Sequence, residues 1–295
     1  MMSRLLLAIC RLAAHLPLGV LQALGALLGR AMLMFSSRFA QRIDENLRVS
    51  QIGGTYQEHQ ALVKQTARHI GMGGIELLLA WFRPSSEVAA LVKHCEGWEH
   101  VEASLAAGRG ILFVTPHLGN YDIAGRYLSE RLPCPLTAMY RPPKLAWLEP
   151  IMNAGRARDT AKTAPATGAG VRLVMKALKS GEATIILPDQ VPGQGDGEWA
   201  PFFGRPAYTM TLVPRLGQMN QVDVLFFYGR RLARGEGFSV HIRPLNEPFD
   251  GERSEDARRL NAMVETLIRE APEQYLWSYN RYKTPSGVTP PSSTH

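Results

Sequence analysis

The pattern of apolar and polar positions divides the chain into a long apolar entry and a later alternation of short strands and amphipathic helices. The entry comprises residues 5–10, Leu-Leu-Leu-Ala-Ile-Cys, and residues 12–28, interrupted only by His15, Pro17 and Gln22. Pro17 divides it into a short first helix and a second that starts at Pro17, because proline suits the first helical position. Arg4, Arg11, His15, Gln22 and Arg30 recur at intervals of 7, 4, 7 and 8. That spacing predicts one narrow polar stripe on an otherwise apolar surface. A wide apolar face with basic residues describes an interfacial membrane helix; a core helix covered by other helices is the alternative. The run continues past the length of a signal peptide, and no Ala-x-Ala site precedes a polar segment. A helix follows over 56–81, in which Gly71-Met-Gly-Gly74 marks close packing or a break.

From Val88 onward the periodicity switches repeatedly. Strands are predicted at 92–95, 111–114, 136–140, 160–163 and 184–187, and helices at 98–107, after Asp122, at 144–156 and at 171–179. Residues 188–209 read as one long loop, and 222–228 and 238–242 as a late β pair. A helix over 254–270 leads to a Pro/Ser/Thr-rich tail. Strand–helix alternation predicts an α/β fold, with a mostly parallel central sheet flanked by helices. The division expected is a membrane-associating segment at 1–35, an α/β domain at 36–283 and a disordered tail at 284–295.

Composition adds two constraints. The 295 residues carry a net charge of +7, which favours an anionic partner such as nucleic acid, an anionic lipid surface or a phosphorylated substrate. Residues 1–50 hold six arginines against Asp44 and Glu45, and a cationic segment beside an apolar helix attracts anionic lipid. The chain lacks interleaved basic and aromatic residues and any recognised nucleic-acid-binding motif, so nucleic acid is not expected. The three cysteines, Cys10, Cys95 and Cys134, are scattered without metal or disulfide spacing, which fits a reducing, cytosol-facing location.

The candidate chemistry lies where strands end. Gly110-Ile-Leu-Phe-Val-Thr-Pro-His117-Leu-Gly-Asn-Tyr-Asp122 is a buried strand stopped by Pro116, then a histidine, then a helix start. His117 is predicted at the carboxyl end of a strand, where open α/β sheets bind ligands, and Asp122 in the first turn of the next helix. A histidine held by a carboxylate is a general base with a fixed tautomer. On spacing alone, a packing histidine beside a helix-capping aspartate comes first. Two further strands end in Tyr140-Arg141 with Lys144, and in Asp189-Gln190 followed by a loop carrying Arg205. If the three strands are neighbours, these groups share one edge, and arginine there can hold phosphate in bidentate fashion. Gly193-Gln-Gly-Asp-Gly197 lacks the Lys-Ser/Thr of a phosphate loop, and no Gly-x-Ser-x-Gly elbow is present.

His117-Leu-Gly-Asn-Tyr-Asp122 resembles the His-x4-Asp/Glu motif of glycerolipid acyltransferases, and within them the bacterial lipid A biosynthesis (late) acyltransferases. Asn46-Leu, Tyr140-Arg141-Pro, Leu187-Pro-Asp-Gln190, Pro201-Phe-Phe-Gly204, Pro272-Glu-Gln-Tyr-Leu-Trp277 and Arg281-Tyr-Lys283 agree in order. The broader superfamily prefers Pro-Glu-Gly where this chain has Pro188-Asp-Gln190. The resemblance implies acyl transfer from acyl carrier protein to a hydroxyl of a phosphorylated lipid A precursor, without a covalent enzyme intermediate. It implies His117 as base, Asp122 as its orienting partner, and Arg141 and Asp189 as groups that bind the acceptor or shape the pocket. Gly119, Asn120, Lys144, Gln190 and Arg205 complete the expected substrate-binding set. Oxyanion donors are expected among the backbone N–H groups near Gly119 and Asn120 or in the Asn120 amide. No metal or organic cofactor is implied, and the location implied is the cytoplasmic face of the bacterial inner membrane. Two alternatives stand beside it: a related acyltransferase acting on another glycolipid or membrane lipid, with acyl-CoA as a possible donor, and a non-enzymatic basic membrane-bound protein.

Overall fold

The structure is a computed structural model that describes residues 2–141, 152, 155 and 161–291. The helix expected over 144–156, and Lys144 with it, lies outside the described residues. In chain order the elements begin with helices α1 (Met2–Ala14), α2 (Leu18–Phe35), α3 (Ser37–Ser50), α4 (Tyr56–Phe82) and α5 (Ser85–Ala89). Then follow β1 (Val92–Glu96), α6 (Trp98–Ala106), β2 (Gly110–Val114), α7 (Tyr121–Arg131), β3 (Leu136–Tyr140), β4 (Ala161–Pro165), α8 (Gly168–Lys179) and β5 (Ala183–Ile186). The chain continues through β6 (Gly197–Phe202), β7 (Arg205–Met210), α9 (Leu212–Gly217), β8 (Val222–Arg231), β9 (Phe238–Pro244) and α10 (Arg253–Glu270).

Seven strands form one sheet in the order β1-β9-β8-β2-β5-β3-β4. The pairs β8–β2, β2–β5, β5–β3 and β3–β4 are all parallel, and β9 runs antiparallel to β8. β2 is buried along its whole length. Its alternate residues serve opposite faces: Ile111 and Phe113 pack with Leu128 of α7 and Val101 of α6, while Leu112 and Val114 pack with Val174 of α8 and Val264 of α10. A strand covered on both faces reads as a continuous apolar run, which is why it was visible in the sequence. The loop expected over 188–209 instead contains the antiparallel hairpin β6–β7. The tail is partly tied down, with Gln194 donating to the Gly287 carbonyl at 2.9 Å and Trp199 to the Thr289 carbonyl at 3.0 Å.

The apolar entry corrects the expected polar stripe. Gln22 is buried, with Gly25, Ala26 and Gly29 on the same face. That face of small residues lies against α4, where a Cβ on Gly25, Gly29 or Gly71 would collide with the backbone of the opposite helix. Leu18 and Leu21 are buried on that side too, but Leu24, Leu27 and Leu28 point outward and are exposed, with Leu12 76% and Phe35 85% exposed at the two ends. By length and composition α2 could cross a membrane.

Candidate active site

The sheet order makes β2, β5 and β3 consecutive and parallel. Their carboxyl ends therefore fall on one edge, as the sequence led us to expect. His117 leaves β2 through Thr115-Pro116, and Asp189 and Gln190 leave β5 through Leu187-Pro188. Asp189 is buried, and its carboxylate reaches back across the edge to His117. One oxygen lies 2.8 Å from the ring Nδ1, and the other accepts the His117 backbone N–H at 2.9 Å. The carboxylate on the ring is thus that of Asp189; the resemblance implies that place for Asp122, which lines the cavity instead. Burial pushes the Asp189 carboxyl up, but the His117 ring and the two hydrogen bonds outweigh it and hold it below the ordinary carboxylate range. An ionised Asp189 assigns the proton to Nδ1 and leaves the Nε2 lone pair as the basic site. On that side the Gln190 amide nitrogen lies 3.3 Å from Nε2. The Tyr121 ring stands edge-on to the imidazole, with centroids 5.0 Å apart.

The ring opens on a cavity of about 300 Å³. Its walls are mostly apolar, from Trp81, Leu136, Ala138, Ile185 and Met210, with His117, Asp122, Arg126, Arg141 and Gln190 as polar points. It reaches along β3 from Tyr140 beside the edge that carries His117 to Leu136 at the far end, a depth of about 13 Å at the usual strand rise. Of the expected set, His117, Asp122, Gln190 and Arg141 line it, and Asp189 lies beneath His117. Arg205 does not: it sits on the hairpin, with its guanidinium 4.9 Å from the centre of the Tyr282 ring.

Gly119 and Asn120 have other partners than those expected. The Gly119 N–H donates to the Gln274 carbonyl at 3.0 Å, and the Asn120 N–H to the Gly229 carbonyl at 2.8 Å. The Asn120 amide donates to Glu76 at 2.9 Å while its oxygen caps α7 by accepting the Ile123 N–H. These groups are committed to the fold, so the expected oxyanion donors are not found there. Gly119 has φ +62°, and a Cβ would strike the Gly229 carbonyl oxygen. The glycine is therefore required by conformation and by close approach.

Sequence reasoning missed Arg126, which is buried on the cavity wall and donates to the Gly155 carbonyl at 2.5 Å. Its signal was present: Asp122, Arg126 and Ser129 follow helical spacing and share the cavity face of α7. It also missed how the C-terminal segment laces the site. The Leu276 N–H donates to the His117 carbonyl at 3.0 Å, and the Tyr279 hydroxyl accepts the Val191 N–H at 2.9 Å. Asn46 of α3 secures that segment by donating to the Trp277 and Tyr279 carbonyls. Trp277 is part of the core. Among the described residues, no group of three or more His, Cys, Asp or Glu side chains could hold a metal ion.

The architecture is an open α/β sheet that carries a carboxylate-held histidine over a mostly apolar cavity. Residues 2–284 match the family model described as bacterial lipid A biosynthesis acyltransferase. The chain is 31% identical over 284 residues to the lipid A biosynthesis lauroyltransferase of Escherichia coli K12, covering 94% of this chain and 90% of that protein. It is 29% identical over 279 residues to the palmitoleoyltransferase of the same organism, with the same coverage. A myristoyltransferase from that organism is 23% identical over 64% of this chain and 58% of its own length. The chain belongs to the bacterial lipid A biosynthesis acyltransferase family and is an O-acyltransferase.

Proposed function

We propose that the protein transfers a fatty acyl chain from acyl carrier protein to a hydroxyl of a phosphorylated lipid A precursor, with His117 as general base and no covalent enzyme intermediate. The observation that carries this reading is the 2.8 Å contact between Asp189 and Nδ1 of His117, beside an apolar cavity. Nε2 takes the proton of the acceptor hydroxyl as its oxygen attacks the thioester carbonyl carbon. The tetrahedral oxyanion collapses, the carbon–sulfur bond breaks, and the proton passes from the imidazolium to the leaving thiolate. Asp189 stabilises the imidazolium between the two transfers. The N-terminus of the 11-residue helix α7 begins beside His117, and its dipole favours the developing negative charge.

The acyl chain occupies the cavity along β3, whose apolar walls match it. Arg141 at the rim and Arg126 on the wall are cations suited to the anionic acceptor, and Asp122 is a second carboxylate on the same wall. The net charge of +7 suits an acidic carrier protein. The exposed leucines of α2, with Arg11, Arg30 and Arg38, rest on the cytoplasmic face of the inner membrane.

The test is mass spectrometry of lipid A from a deletion strain. The strain should lack one secondary acyl chain, which the wild-type gene restores and His117→Ala does not. A general base contributes typically 10²–10⁴-fold, so trace restoration by the variant is compatible. An unchanged lipid A on deletion, or full restoration by a folded His117→Ala protein, would overturn the reading.

A further inference from the structure

We propose that Glu76 is a positioning residue for the active-site turn, holding residues 117–120 in place through the Asn120 side chain. This rests on the reading of His117 as the base. Glu76 lies in the last third of α4 and is fully buried. Its carboxylate gathers four hydrogen bonds from three other parts of the chain. Arg231 of β8 donates two, Nε to one oxygen and a terminal nitrogen to the other, each at 2.6 Å. Gln22 of α2 donates at 2.8 Å, and Asn120 at 2.9 Å. Burial pushes the Glu76 carboxyl up, but Arg231 and these donors hold it below its ordinary range. His69 presents Nδ1 to Arg231 at 3.0 Å and is pushed down to about 3, by burial first and the Arg231 charge second. It is therefore neutral, and Glu76 is the charge that balances Arg231.

A buried ion pair is a weak argument for stability, since apolar residues of similar volume often do as well. What singles this one out is where its spare bonds go. Asn120 is at once the cap of α7 and the end of the turn that carries His117. The rest of that turn is fixed by backbone bonds: His117 to Asp189 and Leu276, Gly119 to Gln274, Asn120 to Gly229. Arg231 also locks Gln274, accepting and donating through its backbone at 3.1 and 2.8 Å. The Asn120–Glu76 bond is a side-chain link that joins this turn to α4. The same carboxylate takes Gln22, so the helix with the exposed apolar face shares an acceptor with the active-site turn. Asn120 is not on the cavity wall, so its effect on turnover passes through position and not through substrate contact.

The experiment compares Asn120→Ser, Glu76→Gln and their combination in the full chain. The substrates are lauroyl-acyl carrier protein and the lipid A precursor, and thermal unfolding is followed in parallel. Serine still caps α7 but cannot reach Glu76, so Asn120→Ser should unfold close to wild type. Its kcat should fall on the order of 10–100-fold, the cost of displacing a reacting group by about 1 Å, with both KM values nearly unchanged. The double variant should lose no more than the worse single one, because both act on the one contact between Asn120 and Glu76. If Glu76→Gln fails to fold because Arg231 is left unbalanced, Asn120→Ser carries the test by itself. Normal kcat in folded Asn120→Ser, a loss that merely follows the folded fraction, or additive losses would each overturn the proposal. Normal turnover by His117→Ala would instead remove the reading on which it rests.

Discussion

Asp189 presents two oxygens to two donors of a single residue, the backbone N–H and the ring Nδ1–H of His117. Asparagine at that position keeps one acceptor and puts an NH₂ where the other oxygen was. Facing a donor, Nδ1 must then become an acceptor, which moves the ring proton to Nε2. A protonated Nε2 cannot take the hydroxyl proton. Asp189→Asn should therefore lower kcat by about 10²–10⁴-fold with little change in KM. Asp122→Asn, on the cavity wall, should cost less in kcat and more in KM for one substrate. Steady-state kinetics of the two purified variants decides between the carboxylates, and a larger kcat loss for Asp122→Asn would restore the assignment that the family resemblance implies. The depressed Asp189 carboxyl also sets a pH direction. Its contribution to stability is present above the unfolded value of about 3.9 and is lost as pH falls through the lower folded value. Wild type should then lose stability at acid pH more steeply than Asp189→Asn does.

At the scale of elements, the crossing of α2 over α4 depends on the absence of side chains. Gly25, Gly29 and Gly71 face one another, and a Cβ on Gly29 would strike the Ala67 carbonyl. Gly29→Leu should force the helices apart and cost about 1–3 kcal/mol or more, the usual scale for overpacking. The thermal midpoint should drop measurably; an unchanged midpoint would mean that the crossing is loose. Separation should also pull Gln22 from Glu76. Such effects explain what the sequence could and could not disclose. Parallel strands covered on both faces appear as plain apolar runs, so β2, β3 and β5 and the edge they build were legible. The β6–β7 hairpin was not, because Pro201 opposite Pro206 and the flanking glycines interrupt its alternation. The polar stripe on α2 was misread because Gln22 has a buried partner 54 residues away. The Asp189–His117 contact is hidden for the same reason: spacing reveals neighbours along a helix, and Asp189 meets His117 from 72 residues further along the chain.

At the scale of the whole molecule, most of the exposed large apolar side chains among the described residues belong to the first 35 residues. Leu12, Val20, Leu24, Leu27, Leu28, Met34 and Phe35 are exposed on α1 and α2. The opposite face of α2 is joined through Gln22 and Glu76 to the turn that carries His117. A membrane beneath this surface would leave the α4 contact undisturbed. Leu24, Leu27 and Leu28 provide a separable test, because they are exposed and make little of the core. Each leucine withdrawn from water contributes about 1.5–3 kcal/mol to membrane binding. The triple change Leu24→Gln, Leu27→Gln and Leu28→Gln should shift the protein from the membrane pellet to the supernatant, with its thermal midpoint nearly unchanged. Turnover on the acceptor dispersed in detergent should survive, while turnover on acceptor embedded in vesicles should fall. A triple variant that still pellets, folded and without aggregating, would show that membrane attachment does not use this face of α2.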